Sequence, residues 1–219
     1  MISISKFKQK IIMKNYLLIL VSTLIILLAK FLPFSFMVGS QAAFFSGSTT
    51  IALLLSRHLG LASFLLFLIS LQDFTVTKLF SFLLKRAPLL FAGWSYRKPN
   101  SIVSLIVPII CFVLFVVHPV GQQAWPYALY WIIPVAIAVS KSQHVFLLAL
   151  SSVFIAHAVG STVWIYTHQM EYEVWLGLMP LVLIERTLMA LGVVVGEYVI
   201  DYVVFFALKV KTIFNRKLA

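Results

Sequence analysis

The sequence predicts an all-α integral membrane protein, a polytopic bundle of about six to eight transmembrane helices. Hydrophobic residues make up 62% of the chain and charged residues only 11%, which is more apolar surface than a soluble core can bury. Several apolar runs approach the length of about 20 residues that a helix needs to cross a bilayer. Such a bundle uses all 219 residues, so we expect a single membrane domain over 1–219.

The charge distribution predicts the orientation of the chain. The formal net charge is +11, but the basic residues flank apolar runs and do not form a patch interleaved with aromatic residues, which argues against a nucleic-acid partner. Lysines are concentrated in the N-terminal segment 1–15 and in the tail 209–219. By the positive-inside rule both termini are expected in the cytoplasm, with the bundle in lipid of the inner (cytoplasmic) membrane.

The first half of the chain predicts two clear spans and one ambiguous segment. Tyr16–Phe34 is expected to be a retained signal-anchor helix, and Phe36–Leu55 a second span rich in small and hydroxyl side chains. A third span begins at Leu61. The segment 74–95 carries cations that suit either a further span or an amphipathic helix on the cytoplasmic surface, and the pattern leaves both open.

The second half predicts long helices more clearly. The last apolar stretch could form one inward crossing or two spans joined near Gly192. We favour one crossing, because it places the basic tail in the cytoplasm, whereas two crossings would return the tail to the outer side. Gly192 and Gly196 form a GxxxG pair typical of helix association. The predicted helical segments are Ser101–His118, Trp125–Ser140, His144–Thr167 and Val174–Leu208.

The best candidate binding face lies in the apolar run that begins near Ser151. At 100° per residue, His157, Ser161 and Trp164 fall on one side of a helix, with His168 one turn further. Imidazole, hydroxyl and indole groups suit a flat, polar ligand. The alternative is that His157 only holds a neighbouring helix by a hydrogen bond. The small residues Ser152, Ala156 and Gly160 form an adjoining edge for close packing.

Two adjacent charges, Glu185 and Arg186, interrupt a later apolar run. Charges at membrane depth usually turn into a bundle or an aqueous cavity, which makes both candidate ligand contacts. Adjacent residues are about 100° apart on a helix, so we expect each to find a separate partner. Asp73 is the candidate for Arg186, and Lys78 or a histidine for Glu185. A purely structural ion pair is the alternative.

Gln41 is the third candidate, because its amide stands among small residues on the predicted second span. It could hydrogen-bond a solute or only a neighbouring helix. Glu197 and Asp201, four residues apart, are interpreted as a solvated helix face near the inner boundary.

Several kinds of chemistry lack their usual sequence patterns. Neither HxxxH nor HxxEH occurs among the five histidines, and the single cysteine, Cys111, excludes disulfides and thiolate clusters within the chain, so no metal is predicted. There is no G-x-S-x-G and no Walker sequence. We therefore predict no enzyme activity, no catalytic residue and no cofactor, and any ATP-derived energy must come from a partner.

A short region resembles a known family. In KFLPFSFMVGSQAAFFSGSTTIALLLSRHLGLASFLLFLISL, residues 30–71, a Pro-Phe pair is followed by a glutamine, a small-residue-rich stretch and a basic-Leu-Gly turn. This order resembles substrate-binding subunits of energy-coupling-factor vitamin transporters, the biotin type especially. The resemblance implies a subunit that captures a solute and docks on a transmembrane partner driven by ATPases. The matching residues are Pro33, Phe34, Gln41, Arg57, Leu59 and Gly60.

These patterns favour binding of a small, possibly vitamin-like solute for its uptake, by a membrane subunit of a transporter. A second hypothesis is a membrane scaffold or assembly factor whose polar residues only join helices. A third is an intramembrane enzyme that uses Glu185, Arg186 and the histidines on a lipid-linked substrate.

Overall fold

The computed structural model describes residues 34–38, 41–45, 47–58 and 79–217, and this part of the chain is mainly helical. It opens with a two-stranded antiparallel sheet, followed by helices joined by short connections. The helices pair along the chain and across it, with the most extensive contacts around the helix at 145–167. The elements are β1 (Phe34–Val38), β2 (Gln41–Phe45), α1 (Gly47–His58), α2 (Leu79–Arg97), α3 (Ile102–Val117), α4 (Pro119–Gln123), α5 (Trp125–Ala128), a 3₁₀ turn (Leu129–Trp131), α6 (Ile132–Ser140), α7 (Val145–Thr167), α8 (Tyr172–Gly177) and α9 (Met179–Lys217).

The predicted helix Phe36–Leu55 is wrong in its first half. Phe34–Val38 and Gln41–Phe45 pair as antiparallel strands, with Val38 opposite Gln41, and the helix starts only at Gly47. Phenylalanine and valine favour extended backbone. The two residues between the strands, Gly39 and Ser40, are a pair that favours hairpin loops. This local signal outweighs the small-residue pattern that suggested a helix.

The ambiguous segment 74–95 is a bundle helix where the structure describes it. Helix α2 makes its most extensive contacts with α7, and Leu89, Ala92 and Tyr96 are buried. Gly160 of α7 lies beside Pro88, since a Cβ there would come within 3.6 Å of the proline Cγ. The small-residue edge predicted on α7 is therefore a close-packing surface.

Two helices predicted in the second half, Ser101–His118 and His144–Thr167, are confirmed to within a residue at each end, whereas Trp125–Ser140 contains a 3₁₀ turn and the helix expected from Val174 is interrupted at Leu178. Ile102–Val117 ends before Pro119, which cannot continue a helix by donating a backbone hydrogen bond. Lys141, at φ 52°, ends α6 in the left-handed conformation and lets the chain reverse into α7. Met179–Lys217 forms one helix of 39 residues that passes through Gly192 without a break.

Two clusters of apolar side chains stabilise the bundle. One joins α1, α2, α7 and the middle of α9, and includes Leu54, Ala92 and Ala190. The other lies among α3, α5, α7 and α8, and is built on aromatic side chains. In it the ring of Phe115 is 5.2 Å from Trp131 and 5.2 Å from Trp175, both edge to face, a favourable aromatic geometry.

Two of the described helices are long and apolar enough to cross a membrane, Val145–Thr167 and the Met179–Phe206 portion of α9. Helix α9 exposes a row of large apolar side chains, including Val195, Val199 and Phe206. Exposing so much apolar surface to water is unfavourable, and the row suits contact with hydrocarbon or another apolar partner. The first predicted span, the span that begins at Leu61, and the basic segment 1–15 lie outside the described residues.

Candidate ligand-binding cavity

A cavity among the described residues lies between α2, α7 and α9. Its volume is about 520 Å³. The segment from Met170 to Leu178, which includes α8, closes one side, and Tyr127 of α5 reaches it from another. It is lined by Pro88, Leu89, Tyr127, Ala156, His157, Gly160, Ser161, Trp164, Met170, Trp175, Leu178, Leu181, Val182, Glu185 and Arg186.

Helix α7 supplies the polar face that its periodicity predicts. His157 and Ser161 are buried, and Trp164 is 48% exposed at the end of the same row. The Ser161 hydroxyl lies 3.5 Å from His157 Nδ1 and 3.4 Å from the Tyr127 hydroxyl. His168, the fourth predicted member, stacks its ring on Trp164 at a centroid distance of 3.7 Å. All four residues therefore lie on one side of α7.

Helix α9 brings the two predicted charges to the same cavity. Glu185 and Arg186 line the cavity together, and Arg186 Nη2 lies 3.4 Å from Glu185 Oε2. The prediction that these adjacent residues avoid each other is wrong, because their long side chains bend back across the 100° between their Cα–Cβ bonds. Arg186 Nη1 also contacts the Met189 sulfur at 3.4 Å. The expected partners Asp73 and Lys78 lie outside the described residues.

Three cavity residues carry a buried nitrogen that makes no hydrogen bond within the described part of the chain. They are His157 at Nε2, Trp175 at Nε1 and Arg186 at Nε. Leaving a buried polar group without a hydrogen bond costs about 1–3 kcal/mol. A ligand that supplied acceptor atoms here would recover part of that cost after small side-chain rotations.

The sequence patterns did not identify two aromatic residues of the cavity. Tyr127 and Trp175 come from the short helices α5 and α8, and their rings are 5.0 Å apart in an edge-to-face contact. Tyr127 also lies 5.3 Å from the His157 ring. Nothing in the spacing of the aromatic residues around Trp125 and Tyr127 indicates that Tyr127 turns inward.

The structure also corrects the predictions for Gln41 and for the pair Glu197 and Asp201. Gln41 is the first residue of strand β2, where its backbone pairs with Val38, and it is not on the predicted helix. Asp201 is exposed as predicted, but Glu197 is 6% exposed and hence not on a solvated face. The correction follows from tertiary packing, because Tyr96 and Arg57 on other helices enclose that carboxylate.

The cavity chemistry favours binding over metal coordination. Within the described residues no three histidine, cysteine or carboxylate side chains come together as a metal site would need.

No protein family, characterised protein or solved structure matches the chain. We therefore infer the function of the protein from the cavity itself.

Proposed function

We propose that this protein is a multi-pass membrane protein that binds a small polar organic solute in the cavity between α2, α7 and α9, and that it serves the uptake of that solute. The observation that carries the proposal is the convergence of five sequence-predicted residues on one cavity: His157, Ser161, Trp164, Glu185 and Arg186.

The size and lining of the cavity suit a small molecule. Ligand sites usually enclose about 300–1,000 Å³ and combine apolar walls with a few convergent polar groups, and this cavity of about 520 Å³ falls within that range. Trp164, Trp175 and Tyr127 add aromatic surface to the lining. The polar groups come from α5, α7 and α9, and together they can bind several atoms of one ligand.

The distribution of donors indicates the chemistry of the solute. Arg186 keeps a buried Nε without a hydrogen bond in the described chain, beside the imidazole of His157 and the indole of Trp175. Guanidinium and indole groups only donate hydrogen bonds. A solute that presents carboxylate, phosphate or carbonyl oxygens therefore fits this wall, whereas a purely cationic solute would meet only Glu185 favourably.

Uptake is the role that the remaining features favour. Two described helices are long enough to cross a bilayer, and the N-terminal region resembles the substrate-binding subunits of vitamin transporters. In that arrangement the inner membrane is the location, and a transmembrane subunit with ATPases would supply energy. In the alternative role, as a scaffold, the same polar residues would serve helix packing alone.

Ligand-dependent thermal stability tests the proposal. Purified full-length protein in detergent would be heated with a panel of small carboxylates, phosphates and neutral heterocycles, and we expect one chemical class to raise its Tm. His157→Phe keeps an aromatic ring but removes both ring nitrogens, so we expect about fivefold to tenfold weaker binding for one lost hydrogen bond. His144→Phe is the matched control, because His144 is exposed at the start of α7 and lies outside the cavity.

A second variant neutralises both cavity charges together. The double substitution Glu185→Gln with Arg186→Gln replaces both charges by neutral amides, and we expect it to abolish the stabilisation by anionic solutes. If no class of solute raises the Tm of the wild type, the proposed binding function is wrong and the scaffold hypothesis is favoured. If His157→Phe and His144→Phe bind a solute equally well, the cavity is not the binding site.

A further inference from the structure

A second, mostly apolar groove adjoins the cavity. Its volume is about 420 Å³. It shares three wall residues with the cavity, namely Pro88, Gly160 and Trp164. The other wall residues are Leu84, Val163, Thr167 and His168, which place it between α2 and the C-terminal part of α7.

The groove and the cavity differ in chemistry. The cavity holds a guanidinium, a carboxylate, an imidazole and two hydroxyls from Arg186, Glu185, His157, Ser161 and Tyr127. The groove offers aliphatic and aromatic surface, and its polar groups, at Thr167 and His168, stand at the exposed end of α7. A molecule that occupied both would therefore need one polar end and one apolar end.

Gly160 stands at the junction of the two spaces. A Cβ at this position would come no closer than 3.6 Å to Pro88, an ordinary van der Waals contact, so alanine fits there. A longer side chain would extend into the gap between Pro88 and Trp164. The cavity and the groove thus meet at Gly160, which places no side chain between them.

From this continuity we infer that the ligand is a single-chain amphiphile, with an anionic head in the cavity at Arg186 and a hydrocarbon chain in the groove. The inference rests on the proposed binding function and names its substrate class. The head carries the oxygens that the donors of the cavity need. The chain covers the apolar wall of α2 and α7, which removes apolar surface from water.

Carboxylate and phosphate heads share the chemistry that Arg186 recognises, so the test includes both. Binding of n-alkyl carboxylates and n-alkyl phosphates with chains of increasing length would be measured by thermal shift on full-length protein held in amphipol. The corresponding n-alkanol and n-alkylammonium are the head-group controls. We expect affinity to rise with each added methylene, by about fourfold at most, and to be weaker by about tenfold or more for the neutral and cationic heads.

Two substitutions separate the groove from the cavity. Gly160→Leu is expected to remove the dependence on chain length, whereas Gly160→Ala keeps it. Val163→Phe fills the groove from a residue that does not line the cavity, and it provides an independent test should Gly160→Leu fail to fold. The Tm of each variant without ligand reports folding.

The outcomes distinguish this inference from the function on which it rests. Chain-length dependence that Val163→Phe or Gly160→Leu abolishes, and that Gly160→Ala retains, supports the amphiphile. If a small solute without a hydrocarbon chain stabilises the wild type and both groove variants equally, the amphiphile inference is overturned and the binding function stands. If neither the amphiphiles nor the small solutes bind, both are overturned.

Discussion

At the scale of single residues, the Glu197 carboxylate joins three helices. The Tyr96 hydroxyl on α2 donates a hydrogen bond of 2.8 Å to Glu197 Oε1, and Arg57 Nε on α1 lies 3.7 Å from the same oxygen. The Arg57 guanidinium also lies 5.1 Å from the centre of the Tyr96 ring, in cation–π geometry. A buried carboxylate needs such partners, because desolvating an unpaired charge is costly.

Tyr96→Phe is therefore expected to destabilise the protein by about 1.5–3 kcal/mol, the usual contribution of a hydrogen bond to a charged group. Denaturation of the full-length protein in mixed micelles would measure the change. Tyr166→Phe is the matched control, since that hydroxyl donates a bond of the same length, 2.8 Å, to the Leu114 carbonyl oxygen from an exposed position. Equal losses in the two variants would show that the charge of Glu197 adds nothing to the bond.

The candidate site is predictable from the sequence where its residues share one helix. The spacing of His157, Ser161 and Trp164 is enough to place them on one side of α7. Tyr127 and Trp175 are not predictable in this way, since they reach the cavity from separate short helices whose packing no local pattern determines. The burial of Glu197 escapes prediction for the same reason, because Tyr96 precedes it by 101 residues.

At the scale of elements, local backbone signals compete with composition. The stretch 34–55 has the small residues of a close-packed membrane helix, yet its first part forms the hairpin β1–β2. Strand-forming residues and the Gly-Ser pair determine the backbone conformation locally, over a few residues. The small-residue pattern, in contrast, favours packing only between helices that have already formed. The longer helices α3 and α7 are predicted correctly because their apolar runs contain no such competing loop signal.

Helices α1 and α9 meet closely at a glycine, which gives an element-scale prediction. A Cβ on Gly196 would overlap the Leu54 Cδ1 atom, so Gly196→Ala should push the two helices apart and destabilise the protein by about 1–3 kcal/mol. Leu54→Ala should cost about 2–5 kcal/mol, because it leaves a cavity in the core. Both losses would be measured by denaturation of the full-length protein in mixed micelles.

The double variant should lose less stability than the sum of the two single losses. The methyl group that Gly196→Ala introduces would then enter the space that Leu54 vacates, and contacting residues of this kind couple by about 0.5–3 kcal/mol. Leu54→Ala combined with Gly160→Ala is the control pair, because Gly160 contacts Pro88 and not Leu54. Additive losses in the Gly196 pair would contradict the close α1–α9 contact.

At the scale of the whole molecule, the bundle surrounds α7, which contacts α2, α3, α6 and α9. Nearly all of α7 from Leu148 to Thr162 is buried, whereas α9 exposes much of its apolar surface. A central helix enclosed by others and an outer helix that faces hydrocarbon is the arrangement expected of a membrane bundle. The cavity opens between these two helices, near the end of α7 that leads into Glu171 and Glu173.

The predicted orientation places the connection between α7 and α8 outside and the basic tail in the cytoplasm. Cysteine labelling in intact cells tests this, after Cys111→Ala removes the single native thiol, which is buried in α3. Gln169→Cys, at an exposed position in the connection, should react with a membrane-impermeant maleimide added outside. Asn215→Cys, in the tail, should react only after the membrane is permeabilised.

Because α9 is one unbroken helix between these positions, labelling of both from the same side would show that α9 does not cross the membrane. The uptake proposal would then lose its transmembrane path, whereas the binding cavity would be unaffected.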